Sequence, residues 1–185
     1  MAQRVCPWWL GYFLASPVRR LMQDPVKVVA PYVREGMTVL EPGPGMGFFT
    51  LELSRLVGPS GRVVAIDIQP RMISSLKRRA GRAGLLERID ARTAGPDSLG
   101  IADLAGAIDF TLAFALVHEM PAVAQFFTEV AMASKPAAGL LFVEPAGHVK
   151  PANFEAELDA AIRAGFALAA RPAIRRSHAA FLKKT

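Results

Sequence analysis

A glycine triplet between an apolar run and a helix-compatible segment constrains this chain more than any other feature. Residues 39–50 read VLEPGPGMGFFT, with Glu41 followed by Gly43, Gly45 and Gly47. Glycine accepts backbone angles that other residues avoid and lets a ligand approach the main chain. Three in alternation therefore mark a tight turn beside something bound. Pro42 and Pro44 bar helix around them and hold the turn extended. On either side, MTVLEP (37–42) reads as a short apolar strand, FFTLELSRLV (48–57) as a helix, and RVVAIDI (62–68) as a second strand after a GPSG turn. Strand, helix, strand is a crossover unit.

The alternation continues along the chain. Asp24-Pro25 reads as a helix cap and first-turn proline opening a helix toward Val33, and RMISSLKRRAGRAG (71–84) as a further helix. IDARTA (89–94) and IDFTLAFAL (108–116) are strands, PAVAQFFTEVAMAS (121–134) is an amphipathic helix, and KPAAG breaks the chain. GLLFVEPA (139–146) is a buried strand, NFEAELDAAIRAG (153–165) a helix, and FALAARPAI with RRSHAAFLK a closing pair of strands. This pattern predicts an α/β fold: one doubly wound, mostly parallel seven-stranded sheet, helices on both faces, and an antiparallel last strand. With 185 residues, 52% hydrophobic, and no repeat or composition break, the whole of 1–185 is expected to form a single domain. Residues 1–34 would be a helical, aromatic N-terminal segment and 35–185 the ligand-binding core.

Several function classes drop out. Cys6 is the lone cysteine, which excludes an internal disulfide framework and a multi-cysteine metal site and suits a reducing cytoplasm. The early apolar run in MAQRVCPWWLGYFLASP is interrupted by proline and glycine and, at about ten residues, is too short to span a bilayer. No transmembrane segment is expected. The net charge of +6 is concentrated in residues 71–84 and in RPAIRRSHAAFLKKT (171–185), a balance that favours anionic partners in general. No aromatics interleave the first cluster as a base-stacking surface would require, so a solvated helix face is the simpler reading.

The turn also says what kind of ligand it takes. In open sheets of this kind, ligands bind beyond the carboxyl ends of the strands. A dinucleotide fingerprint G-x-G-x-x-G counted from Gly43 would need glycine at position 48, which is Phe48. Glu41 before the loop would repel a pyrophosphate and suits a ligand with an ammonium or sulfonium centre. Asp67 ends the second strand, where its carboxylate is placed to accept both hydroxyls of a ribose.

On these residues the chain resembles the class I S-adenosylmethionine-dependent methyltransferases. VLEPGPGMG is similar to their acidic-x-G-x-G-x-G first motif and RVVAIDI to their second. IDFTLAFALVHEM and SKPAAGLLFVEPAGH resemble the fourth- and fifth-strand segments, so the likeness covers roughly residues 30–170. It implies S-adenosylmethionine as cofactor, with Glu41 near the methionine moiety, Gly43, Pro44, Gly45 and Gly47 lining the ligand, Asp67 on the ribose and Ile68 beside the adenine. Asp97 and Ser98 would approach the adenine edge, and Phe114 and Ala115 would border the cofactor. The family's usual Lys-Pro-Gly-Gly is here Lys135-Pro136-Ala137-Ala138, with alanines at the turn.

Methyl transfer from a sulfonium is an in-line displacement for which alignment and exclusion of water suffice, so a base is optional. His118 is the candidate base, with Glu119 beside it; Glu144 and His148 stand near the expected pocket mouth. A loop histidine paired with local backbone is the competing reading for His118. A metal held by His118, Glu144 and His148 lacks tight ligand spacing, so none is expected. Trp8, Trp9, Tyr12 and Phe13 form either a lid over the acceptor or a cover on an apolar surface. HEMP stands where the enzymes that methylate nucleic-acid amino groups carry N/D-P-P-Y/F, and arsenic methylation would need more cysteines. The expected acceptor is therefore a small molecule, with nucleic acid disfavoured. The alternatives are an NAD(P)-dependent oxidoreductase and a non-catalytic protein that keeps only the cofactor fold.

Overall fold

The computed structural model describes residues 23–95 and 97–185; Trp8, Trp9, Tyr12 and Phe13, the expected lid or apolar cover, lie outside them. Seven strands form one sheet in the order β3-β2-β1-β4-β5-β7-β6, mostly parallel, with helices around it. The described residues divide into two compact units, 23–95 and 97–185.

The first unit opens with α1 (Pro25–Val29), whose N-cap Asp24 accepts the amide of Val26 at 3.0 Å. The helix stops short of the expected Val33 because Pro31 has no N–H to continue the ladder, and the chain leaves through a turn in which Tyr32 bonds back to Val29 at 3.0 Å. β1 (Thr38–Pro42) pairs in parallel with β2 (Arg62–Asp67), Thr38 opposite Arg62 and Pro42 opposite Ile66, and β2 pairs in parallel with β3 (Ile89–Thr93). Val39, Leu40 and Val63 to Ile66 are buried without alternation, as strands covered on both faces require. α2 (Thr50–Leu56) is shorter than the expected 48–57. Phe48 and Phe49 instead complete the glycine turn, meeting edge to face at 5.1 Å. α3 (Pro70–Arg82) lays Leu76 and Ala80 on Ala65, Leu85 and Ile89, while Arg71, Lys77, Arg78 and Arg82 occupy its exposed face.

In the second unit, β4 (Ile108–Phe114) lies parallel to β5 (Ser134–Pro145), and α4 (Val123–Ala133) joins them. The expected break at KPAAG is a bulge within β5. Ile108 faces Ser134 but Phe110 faces Gly139, so the intervening residues loop out, pinned by Lys135 Nζ on Asp109 Oδ1 at 2.6 Å. Pro136 cannot donate to the ladder, which accounts for a bulge here. After α5 (Pro151–Arg163) come β6 (Phe166–Ala170) and β7 (Ser177–Lys184). β7 runs antiparallel to both β5 and β6 and is the antiparallel last strand expected from the sequence. Phe142 of β5 meets Phe127 of α4 at 5.6 Å and stacks on Phe154 of α5 at 4.8 Å, so both helices seal one face of that strand.

Candidate active site

The glycine turn at the carboxyl end of β1 is held by its own backbone and by β2. Gly43 N–H donates to Ile66 O at 2.8 Å, and Gly47 N–H to Pro44 O at 2.9 Å. Asp67, ending β2, accepts the amides of Gly45 at 3.2 Å and of Gln69 at 2.8 Å, one on each carboxylate oxygen. Arg79 of α3 donates to the carbonyl of Met46, fastening the loop to the helix. Glu41 is buried at the end of β1.

Two glycines of the triplet have separable jobs. Both Gly45 (φ +54) and Gly47 (φ +86) sit in the left-handed region. A Cβ added at Gly45 would meet nothing within 4 Å, whereas one at Gly47 would fall 2.5 Å from Leu76 Cδ1. Gly45 thus presents bare backbone to open space, while Gly47 lets α3 pack against the turn. Beside them Ile68 is 38% exposed. A buried carboxylate, an open glycine backbone, a strand-end aspartate and an exposed isoleucine are groups of the kind that could hold the sulfonium, ribose and adenine of S-adenosylmethionine.

In the second unit, the carboxyl ends of β4 and β5 assemble a different kind of chemistry. After Phe114, Ala115 takes φ 53 and donates its N–H to Val143 O at 2.8 Å; a non-glycine residue in that region is strained, and such strain gathers at functional sites. The chain then makes a 3₁₀ turn, Val117–Glu119. Glu144, fully buried on β5, accepts the Val117 amide on Oε1 at 2.7 Å and contacts His118 Nδ1 with Oε2 at 2.5 Å. His118 therefore pairs with a buried carboxylate, not simply with loop backbone. That hydrogen bond raises its pKa above the usual imidazole value, burial opposing and the charges of Glu144, Glu119 and Glu157 reinforcing it. With Nδ1 committed to Glu144, Nε2 is the nitrogen left to act, and it lies 3.9 Å from Glu119 Oε1. The His148 ring stands 6.2 Å from that of His118. Among the described residues no three His, Cys, Asp or Glu side chains are grouped to hold a metal ion.

Asp97 and Ser98 are exposed and tied to α4. The Ser98 hydroxyl donates to Glu129 at 3.0 Å, and Gln125 donates to the Asp97 carbonyl at 2.6 Å. Sequence reasoning passed over Arg79 and Glu157. Nothing in RMISSLKRRAGRAG distinguishes Arg79 from its basic neighbours. Glu157 did carry a signal: it shares the inward stripe of α5 with Phe154, Leu158 and Ala161, at helical spacing.

A family model described as a methyltransferase domain matches residues 33–179, and the chain belongs to that family, the class I S-adenosylmethionine-dependent methyltransferases. This favours methyl transfer over the oxidoreductase alternative, and S-adenosylmethionine is the family's cofactor. Among solved structures, a SAM-dependent methyltransferase from Aquifex aeolicus superposes with a TM-score of 0.87 at 24% identity, over 98% of this chain and 100% of that one. The ubiquinone/menaquinone biosynthesis C-methyltransferase UbiE of Klebsiella pneumoniae is 35% identical over 71 residues, 38% of this chain. A tRNA (adenine-N(1))-methyltransferase, TrmI of Methanocaldococcus jannaschii, is 38% identical over 56 residues, 30% of this chain. The matched stretches span only 28% and 20% of those two relatives. No helix among the described residues is long and apolar enough to cross a membrane.

Proposed function

We propose that this protein transfers the methyl group of S-adenosylmethionine to a small-molecule acceptor, with His118 removing the acceptor's proton. One observation carries the acid–base part: buried Glu144 grips Nδ1 of His118 at 2.5 Å and leaves Nε2 as the working nitrogen. The family and the open turn at Gly45 support the cofactor. The relative named for quinone C-methylation supports a small acceptor. A cytoplasmic setting fits the single cysteine.

Bound S-adenosylmethionine would supply an activated methyl group on a sulfonium. The chain's own work begins with Asp67, which would hold the ribose, and with Gly43, Pro44 and Gly45, whose backbone would face the ligand. Glu41 would offset the positive sulfur from its buried position. Phe114 and strained Ala115, at the end of β4, would fix the start of the turn that carries His118. At the acceptor, the electron pair freed by proton loss forms the new bond to carbon, and the proton passes to Nε2. Glu144 holds the ring in orientation and stabilises the imidazolium that results.

Incubating the protein with methyl-labelled S-adenosylmethionine and extracts separated into small-molecule, lipid and RNA fractions tests this reading. Label in a low-molecular-weight or lipid product supports it. Label in RNA would favour a second reading, to which the exposed cations Arg71, Lys77, Arg78 and Arg82 on α3 and the tRNA-methylating relative lend support. Calorimetry without measurable S-adenosylmethionine binding would reject both.

A further inference from the structure

The mechanism above does not use Glu157, yet Glu157 is the least expected side chain in the second unit. α5 turns Phe154, Leu158 and Ala161 inward, all nearly or fully buried, and Glu157 rides on the same stripe. Phe154 fixes which surface that stripe covers: it stacks on Phe142 and lies 5.5 Å from the ring of His178. Phe142 and Glu144 are two residues apart on β5 and so share a face, and His178 of β7 is the cross-strand partner of Glu144. Glu157 is half-buried on this stripe, which packs on the sheet face that bears Glu144, and its Oε2 is buried without a hydrogen-bond partner.

Such a group cannot hold its charge cheaply. Burial and the neighbouring Glu144 carboxylate push Glu157 up to about 7, with the His118 imidazolium acting in the opposite direction. The influence is mutual, because Glu157 is among the charges that raise His118. The other titratable groups facing this cluster are Glu119 and His148 near His118 and His178 on β7. On α5 itself Glu155 holds the Arg171 guanidinium at 2.7 Å, so that cation is committed to a different carboxylate.

We propose that Glu157 is a charge-compensating positioning residue for His118: it keeps its proton while the imidazole is neutral and releases it when Nε2 takes a proton from the acceptor. The inference rests on the methyl-transfer reading for its catalytic meaning. The step balances. The acceptor's X–H bond breaks, its electron pair becomes the X–CH₃ bond, the sulfonium's carbon–sulfur pair stays on sulfur, and the proton goes to Nε2. The Glu157 proton then leaves to water, so the cluster's net charge is the same before and after. Without compensation, each turnover would place an added positive charge on a partly buried ring; with it, the imidazolium gains a second counter-charge at the moment it forms. The arrangement also narrows the acceptor to one whose methylated atom must lose a proton, a hydroxyl, amine or acidic carbon, since a thioether or tertiary amine would give His118 nothing to take.

Histidine-ring NMR titrations of the full chain test the coupling without any acceptor. In the wild type the His118 titration should be broad, spread by the second proton on Glu157. In Glu157→Gln it should sharpen to one step with its midpoint about half a unit or more lower, and Glu157→Asp should restore part of the breadth. A folded Glu157→Gln protein whose His118 midpoint does not move would overturn the proposal. If Glu157→Gln does not fold, carboxyl-carbon NMR of the glutamate-labelled wild type decides: a carboxyl titrating near 7 that also responds as His118 titrates supports it, and absence of any carboxyl titrating above pH 6 overturns it. Cofactor binding by calorimetry is a separate readout, so failure of the methyl-transfer reading and failure of this inference are told apart.

Discussion

Asp67 Oδ2 accepts the amide hydrogen of Gly45 at 3.2 Å, tying the middle of the glycine turn to the end of the neighbouring strand. The same carboxylate is the group proposed to hold a ribose, with acceptor capacity left on both oxygens beyond the two backbone amides. Asp67→Ala removes charge-assisted hydrogen bonds of about 1.5–3 kcal/mol and should weaken S-adenosylmethionine by about ten- to a hundred-fold. Equal affinities of wild type and mutant in calorimetry would reject the ribose role.

Gly45→Val and Gly47→Val should fail in different ways. A Cβ at Gly45 meets nothing within 4 Å and projects into the space proposed for the ligand, so Gly45→Val should melt cooperatively and lose cofactor binding. At Gly47 the side chain collides with Leu76, adding about 1–3 kcal/mol of overpacking to the backbone strain both variants share. Thermal melts that rank Gly47→Val no less stable than Gly45→Val would contradict this division of labour.

Ala137 adopts φ 62 in the β5 bulge, at the position where the family usually has glycine. A left-handed alanine costs about 1–2 kcal/mol, and glycine's extra freedom in the unfolded chain returns part of that. Ala137→Gly should therefore stabilise the protein by roughly 0.5–1 kcal/mol. Urea denaturation showing a loss of stability would mean the bulge is not strained.

His118 works as a base only when neutral, and Glu144 raises its pKa. The acid limb of the rate profile should accordingly lie above about 6.5, the ordinary imidazole value. His118→Gln should bind cofactor normally, lose about 10²–10⁴ in rate and lose that limb. The linked stability has the opposite sense: it is present below the unfolded-state pKa and fades as pH rises through the folded one. A rate profile flat from pH 6 to 9 in the wild type would remove His118 from the chemistry.

Glu157 titrates at about 7 in the fold against an ordinary value of 4.5. Its stabilising contribution is complete below the lower value and is lost as pH rises through the higher, because the native state holds the proton longer. Denaturation of wild type and Glu157→Gln across pH 4–9 should show the variant gaining on the wild type between about 4.5 and 7, then a constant gap. Parallel curves would place Glu157 in solvent.

Short-range pattern determines much of this protein's architecture. Apolar runs at 38–42, 62–67 and 108–114, each followed by a turn and a helix, admit little besides a parallel sheet, because each run must be buried on both faces. Glu41, the glycines and Asp67 were legible because they are confined to strand ends and one turn, where sequence spacing and spatial spacing nearly coincide. Other features were decided only by tertiary packing. The bulge at KPAAG depends on which residue of β4 pairs with which of β5, and the late start of α2 on Phe48 and Phe49 finding burial in the turn before the helix. Sequence offered His118 and Glu144 separately, 26 residues apart, but only the parallel pairing of β4 with β5 brings them to 2.5 Å. Glu157 was visible as a carboxylate on an apolar stripe. That the stripe closes over the strand face carrying Glu144 is a property of how a helix seats on a sheet, through Phe154 on Phe142, and no local spacing encodes it.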